Sequence, residues 1–235
     1  MTLDRPYLKS CARDAMRDKK PSVYLVSFIF IVINYILSNL NVTIQLNNMD
    51  IETLTDALMA GETVMNDIGL WGSLILLAVS IMSSVIAVGY QWYCLCISRG
   101  EQAGIGHIFD GFGIFFKVVW LNIVIGFFVF LWSLLLVFPG IIAAFRYSQA
   151  FYILLDDPDK GALQCLRESK AMTRGYKWKL FVLDLSFIGW NLLTIVPFVS
   201  IFVSPYYGVT RAMYYNSLSG WRKESEPVYE YGPTE

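Results

Sequence analysis

Three ionisable side chains lie inside apolar stretches of this 235-residue sequence, where a charge is costly and usually serves a purpose. They are Arg146, Asp184 and Arg211, and Asn122 and Asn191 add amide groups in similar surroundings. A carboxylate and a guanidinium at one depth can neutralise each other, bind an anionic headgroup or line a path for a small polar solute. These five residues are therefore the first candidates for function.

Geometry favours one pairing among the three charges. On a helix, Asp184 would lie about 7–8 Å from the inner end of its span and Arg146 about 15 Å from the inner end of its own. Their side chains would also lean apart, because helical side chains lean toward their own N-terminus. We therefore predict an intramembrane polar cluster of Asp184, Arg211, Asn122 and Asn191, with Arg211 as the partner of the aspartate. A structural role, in which these groups only neutralise and hydrogen-bond one another, is the stronger interpretation.

No catalytic constellation accompanies these residues. The sequence has no HExxH motif, no paired acids within one apolar span and no Ser-x-x-Lys. The stretch "GIGHIFDGFG" lacks the lysine of a phosphate loop. Cys94 and Cys96 would point to nearly opposite faces of a helix, and His107 has no Cys or His neighbour. We therefore expect no enzyme centre, no metal and no cofactor.

The elements that must position the candidates are long apolar runs. Hydrophobic residues make up 56% of the chain and charged residues 16%, against about a quarter charged in soluble domains. Runs of about 20 apolar residues cross a bilayer as helices. The predicted fold is an all-α polytopic membrane bundle of six spans, at residues 22–40, 70–97, 118–138, 140–155, 180–196 and 198–218.

Basic residues set the predicted orientation. Of the 18 Lys and Arg residues, all but Arg146 and Arg211 fall outside the spans and on one side, and residues 41–69 contain none. The positive-inside rule therefore predicts a protein of the cell membrane with both termini on the cytoplasmic side. The domain organisation is an amphipathic helix over residues 1–20, a six-span membrane domain over 21–220 and a disordered polar tail over 221–235.

Two amphipathic segments predict contact with lipid. The apolar stripe of residues 1–20 would lie among the headgroups while its basic side chains meet anionic lipid. A second interfacial helix is predicted after Asp159, which would cap it, with Leu163 on its apolar stripe and Gly175 at its end. The expected partners are anionic headgroups on the cytoplasmic side, with a protein partner or a second copy also open, and no nucleic acid.

Pro139 and Gly140 predict the outer turn of a tight hairpin between the third and fourth spans. Arg146 would then lie about 9 Å from the outer end of a short helix. Leaning outward, it could reach the outer headgroups or the free carbonyls at the end of the third span, around residues 133–137. We therefore predict that Arg146 anchors the hairpin.

An internal repeat is a further possibility. A shift of 62 positions aligns Lys117 with Lys179 and Asn122 with Asp184, so that residues 117–155 and 179–217 would form equivalent hairpins of parallel orientation. Chance similarity between apolar spans is the alternative, since few positions match.

The second half of the sequence carries a specific pattern: "FPGIIAAFRYSQAFYILLDDPDKGALQCLRESKAMTRGYKWKLFVLDLSFIGW", followed by "PYYGVTRAMYY". It resembles the bacterial integral-membrane family known as domain of unknown function nine-seven-five, well over residues 109–215 and loosely before them. The resemblance implies a multi-span protein of the bacterial plasma membrane. That family has no established activity, so the resemblance transfers no catalytic residue.

Three functions remain open at this point. The first is a non-catalytic membrane module that binds lipid or a protein, because the sequence has two amphipathic segments and no catalytic constellation. The second is a small transporter or channel for a polar or anionic solute, because charges occur inside interrupted spans. An intramembrane enzyme acting on lipid comes third.

Overall fold

The apolar runs form helices, as their length and spacing predict. The computed structural model describes residues 5–17, 19, 21–47, 59, 70–135, 137–193 and 197–220, and the regular structure in these ranges is entirely helical. The predicted tail over 221–235 lies outside them. The elements are α1 Arg5–Met16, α2 Val23–Asn47, α3 Leu70–Ser98, two 3-10 helices at Ile105–Ile108 and Asp110–Ile114, α4 Phe115–Leu135, α5 Val137–Tyr147, α6 Ala150–Asp156, α7 Ala162–Met172, α8 Lys177–Leu193 and α9 Pro197–Ser219.

Three of these segments are long and apolar enough to cross a membrane. They are Val23–Leu40 in α2, Leu70–Ser98, which is α3, and Ile105–Leu134, which includes all but the last residue of α4. The prediction of an all-helical fold is confirmed for the described residues, with three candidate membrane-spanning helices, and the count of six spans is not confirmed. The predicted fourth span, residues 140–155, is two helices, and α5 has only 11 residues where a span needs about 20.

Helix α7 explains the interruption between α5 and α6. Ser148 and Gln149 form a turn, and side chains of α7 and of its C-cap residue bond the backbone just before this turn and within it. The Ser169 hydroxyl donates to the Arg146 carbonyl at 2.8 Å, and the Gln149 N–H donates to the same hydroxyl at 3.3 Å. Thr173 donates to the Arg146 carbonyl at 3.4 Å. These side chains replace part of the bonding that a continuous helix would supply.

The second predicted amphipathic helix is therefore present as α7, with corrections. Its N-cap residue is Gly161 and no side chain caps it, so the predicted cap at Asp159 is wrong. Leu163, expected on the apolar stripe, is 55% exposed, whereas Cys165 is fully buried. The buried face is rotated relative to the predicted stripe, because the face that packs on the bundle carries Ser169 and Thr173, which bond the backbone between α5 and α6. Gly175 follows the helix with φ +84°, which suits its predicted position at the end.

Pro139 and Gly140 lie inside a helix, so the prediction that they form the turn of the hairpin is wrong. Helix α4 ends at Leu135 and α5 begins at Val137, so both residues belong to the first turn of α5. Proline is tolerated there because the first N–H groups of a helix have no intrahelical partner. Gly140 has a packing role, since a Cβ at this position would lie 3.0 Å from the Cα of Ser133 in α4.

The amphipathic helix at the N-terminus exists as α1, but its apolar face meets protein rather than lipid. Leu8, Ala12 and Met16 are buried, and α1 packs on α9 and α3. Leu8 joins a small core cluster with residues of α8 and α9: Leu180, Leu183, Phe187 and Tyr214. Ala12 and Met16 join the larger core cluster, and Arg5 and Arg13 of α1 remain exposed.

Candidate functional site

The predicted ion pair assembles around a tyrosine. Tyr207 and Arg211 are four residues apart on α9 and so share one face, which is turned toward Asp184 of α8. The Tyr207 hydroxyl donates to Asp184 Oδ1 at 3.2 Å, and Arg211 Nη1 donates to the Tyr207 oxygen at 3.2 Å. Arg211 Nε lies 3.9 Å from Asp184 Oδ1. We call Asp184, Tyr207 and Arg211 the polar triad.

Aromatic packing and α1 enclose the polar triad on one side. The Phe187 ring packs edge-on against Tyr207, with ring centroids 5.2 Å apart. Lys9 of α1 lies with Nζ 4.2 Å from the Phe187 centroid, and it donates to the Ser186 carbonyl at 3.5 Å. The ends of the triad stay partly open, since the Asp184 side chain is 20% exposed and that of Arg211 24%. The charges are thus neutralised by one another but not sealed from their surroundings.

The other predicted members are not brought together with the triad. The Asn122 amide donates to the Ser84 hydroxyl, which ties α4 to α3. The Asn191 side chain lies outside the described residues. The structure therefore places Asp184 with Arg211, as predicted, and gives Asn122 a separate helix-to-helix bond.

Arg146 contacts the neighbouring helix of its hairpin through an aromatic ring. Its guanidinium carbon lies 5.9 Å from the centroid of Trp132 in α4, a distance at which a cation is attracted to the face of an indole. Its Nε is buried and has no hydrogen-bond partner among the described residues. The contact joins α5 to α4 through Trp132, one residue before the predicted stretch 133–137. The anchoring role itself stays a prediction.

A second polar network, which the sequence reasoning missed, lies where α3, α6 and α9 end. Arg99 directly follows α3, and its guanidinium donates two hydrogen bonds, of 2.7 and 2.8 Å, to the carboxylate of Asp156, the last residue of α6. The Tyr215 hydroxyl donates to the same carboxylate at 2.6 Å. Arg99 also donates to Asn216 at 3.2 Å, and Asn216 donates to Ser98 at 2.8 Å. Three helices are thus linked by charge-assisted bonds.

A signal for this network was present in the sequence. Asp156 ends the apolar run "FYILLD", and Tyr215 and Asn216 follow Arg211 closely in "RAMYYN". Nothing in the sequence links Arg99 to Asp156, because the two residues are 57 positions apart.

Among the described residues, no three His, Cys, Asp or Glu side chains group as possible metal ligands. His107 Nδ1 accepts the Gly104 N–H at 3.1 Å, which stabilises the first 3-10 helix. Cys94 and Cys96 are both buried as free thiols. What the two networks can do chemically is hold charge and hydrogen bonds between helices.

Comparison with known proteins agrees with the resemblance read from the sequence. Residues 134–222 match the family model described as "Protein of unknown function (DUF975)", which confirms the predicted family resemblance over α5 to α9. No curated protein and no solved structure matches the chain.

Proposed function

We propose that the chain is a non-catalytic, multi-pass protein of the bacterial plasma membrane that binds anionic lipid, with both termini in the cytoplasm. One observation carries the proposal. Asp184 and Arg211 pair with each other in the polar triad, while Arg13 of α1 and Arg17 directly after it are exposed beside the first membrane helix. Cations in this position attract anionic headgroups by about 1 kcal/mol each.

The orientation follows from the same distribution of charge. Six basic residues precede α2 and six more lie at 160–179, whereas residues 41–69 have none. Loops rich in lysine and arginine stay on the cytoplasmic side. The lipid that α1 meets would therefore belong to the inner leaflet.

Native mass spectrometry of the full chain extracted with its lipids tests this function. The expected result is retained anionic phospholipid in preference to zwitterionic phospholipid. A chain that retains neither, or both equally, would contradict the proposal. A mass increase equal to a protein would instead favour the protein-binding form of the module or a second copy.

A small transporter or channel is the second candidate, and one observation favours it. The polar triad remains about one-fifth exposed at both charged ends, so a polar solute could reach it. Flux of anionic solutes into vesicles that contain the wild-type chain, compared with Tyr207→Phe, tests this function. Loss of flux in a variant of unchanged stability would support it, and equal flux in protein-free vesicles would exclude it.

A further inference from the structure

A surface cavity of about 540 Å³ lies where α1 meets the start of α2. Specific ligand sites in proteins typically measure roughly 300–1,000 Å³. Its lining is rich in cations and includes residues from both helices and the segment between them: Arg13, Asp14, Met16, Arg17, Lys19, Ser22 and Tyr24. We call it the basic cavity.

Two arginines dominate the basic cavity. Arg13 lies in the last turn of α1, Arg17 directly follows the helix, and both side chains are exposed. Neither forms an ion pair within the part of the chain that the structure describes. The guanidinium group matches a phosphate with two parallel N–H donors, which makes arginine the preferred residue for such ligands.

Other lining residues contact the rest of the bundle. Met16 in the lining is buried. Lys19 Nζ donates to the carbonyls of Gly100 at 2.6 Å and Glu101 at 2.9 Å, so this linker residue is tied to the end of α3. Leu8 and Ala12 are buried and pack α1 against the bundle, so the two arginines extend from a packed segment rather than from a flexible terminus.

The position of the basic cavity points to a lipid rather than a soluble anion. It lies directly before Val23, where the first apolar helix begins. Below it α2 exposes large apolar side chains, with Tyr24 40%, Leu25 49% and Phe28 47% exposed. A molecule held by its phosphate in the cavity would therefore lay its acyl chains against these residues.

We propose that the basic cavity binds the phosphodiester headgroup of an anionic phospholipid, with Arg13 and Arg17 as its ligands. The proposal rests on the proposed function and names the site of lipid binding. The Asp14 carboxylate in the lining opposes highly charged ligands, so the site favours a headgroup with a single negative charge. Ser22 supplies a hydroxyl at the start of α2 for a further hydrogen bond.

Native mass spectrometry with added lipid tests the site. The full chain in detergent is titrated with phosphatidylglycerol or phosphatidylcholine, and bound lipid is counted. Arg13→Gln/Arg17→Gln should weaken phosphatidylglycerol binding by about tenfold or more, since two cations near a membrane surface contribute at least this much. Asp14→Asn should strengthen binding by a few-fold. The matched control is Arg167→Gln/Arg174→Gln, which removes the same charge from exposed positions in and after α7 and should change binding less than twofold.

Each outcome decides between the site and the function. If the wild type binds phosphatidylglycerol and the two double variants weaken it equally, attraction is diffuse and the site is wrong while the function stands. If Arg13→Gln/Arg17→Gln leaves binding unchanged, the site is also wrong. If the wild type shows no preference for phosphatidylglycerol, both the site and the function fail.

Glycerol 3-phosphate should not displace the lipid at equal concentration, and displacement would assign the cavity to a soluble phosphate. Unchanged thermal unfolding of the variants shows that they remain folded.

Discussion

Arg99 and Asp156 form a two-pronged ion pair that joins the end of α3 to the end of α6, with N–O distances of 2.7 and 2.8 Å. Their side chains are 11% and 26% exposed, so the pair lies between the surface and the interior. The Tyr215 hydroxyl completes the carboxylate shell at 2.6 Å. Most of the hydrogen-bonding capacity of both ions is therefore met by protein, which is the condition for a partly buried pair to stabilise.

Removal of the charge on Arg99 or on Asp156 should lower the stability of the protein, because the other charge would be left unpaired. We expect Arg99→Gln and Asp156→Asn each to lower the free energy of unfolding by about 1–3 kcal/mol, between the values for exposed and buried pairs. A double-mutant cycle measured by thermal unfolding in detergent should give a coupling above about 1 kcal/mol. The more exposed pair of Lys160 and Glu168 is the control, and a coupling no larger than that of the control would contradict the prediction.

The polar triad should behave as a structural neutralisation of charge. Asp184→Leu and Arg211→Leu should each destabilise the protein, because each leaves an unpaired charge among apolar helices. The double variant should recover much of the lost stability, as replacement of a buried pair by apolar residues often does. The melting temperature in detergent measures this. Normal folding of all three variants, with loss of lipid binding or solute flux, would assign the triad to function instead.

The sequence predicts what short-range chemistry decides. Apolar runs predict the helices. The pairing of Asp184 with Arg211 is also predictable, because the depth of each side chain along its helix follows from a rise of 1.5 Å per residue. The apolar stripe of α1 follows from its 3.6-residue period.

Long-range packing explains what the sequence does not predict. Nothing local shows that Ser169 will bond the Arg146 carbonyl from another helix and so divide the fourth apolar run. The same holds for the apolar face of α1, since a stripe that suits a headgroup layer suits the surface of α9 equally well. Asn122 has Ser84 as its partner for a similar reason, because an amide bonds whichever neighbouring helix packs closest.

In the stretch "GIGHIFDGFG", Gly111 is closely packed and Gly113 is not, which gives a sharp comparison of two neighbouring positions. A Cβ at Gly111 would lie 2.6 Å from the Val85 carbonyl oxygen and 3.2 Å from the Gly89 nitrogen, whereas one at Gly113 meets nothing within 4 Å. Gly111→Ala should therefore force the second 3-10 helix away from α3 and lower stability by about 1–3 kcal/mol. Gly113→Ala should change it by less than about 1 kcal/mol. Thermal unfolding of both variants is the measurement, and equal effects would show that backbone freedom rather than packing decides.

Acid should remove a small stabilising contribution at α7. The Lys160 ammonium donates to Glu168 Oε2 at 2.8 Å, and this bond holds the pKa of the Glu168 carboxyl below its ordinary value near 4.5. The same bond raises the pKa of Lys160 above 10.5, with Asp157 3.8 Å away adding to the effect.

A carboxyl group with a lowered folded-state pKa contributes stability above its unfolded pKa and loses it as the pH falls through the folded value. The wild type should therefore exceed Glu168→Gln by about 0.2–1 kcal/mol near neutral pH, and the difference should shrink below about pH 4.5. Denaturant unfolding of the two proteins in detergent across this range measures it. Gln164→Ala, which removes the amide that also donates to Glu168 but keeps the ion pair, is the control and should retain most of the pH dependence. A difference that stays constant down to about pH 3 would mean that Glu168 acts through packing rather than through its charge.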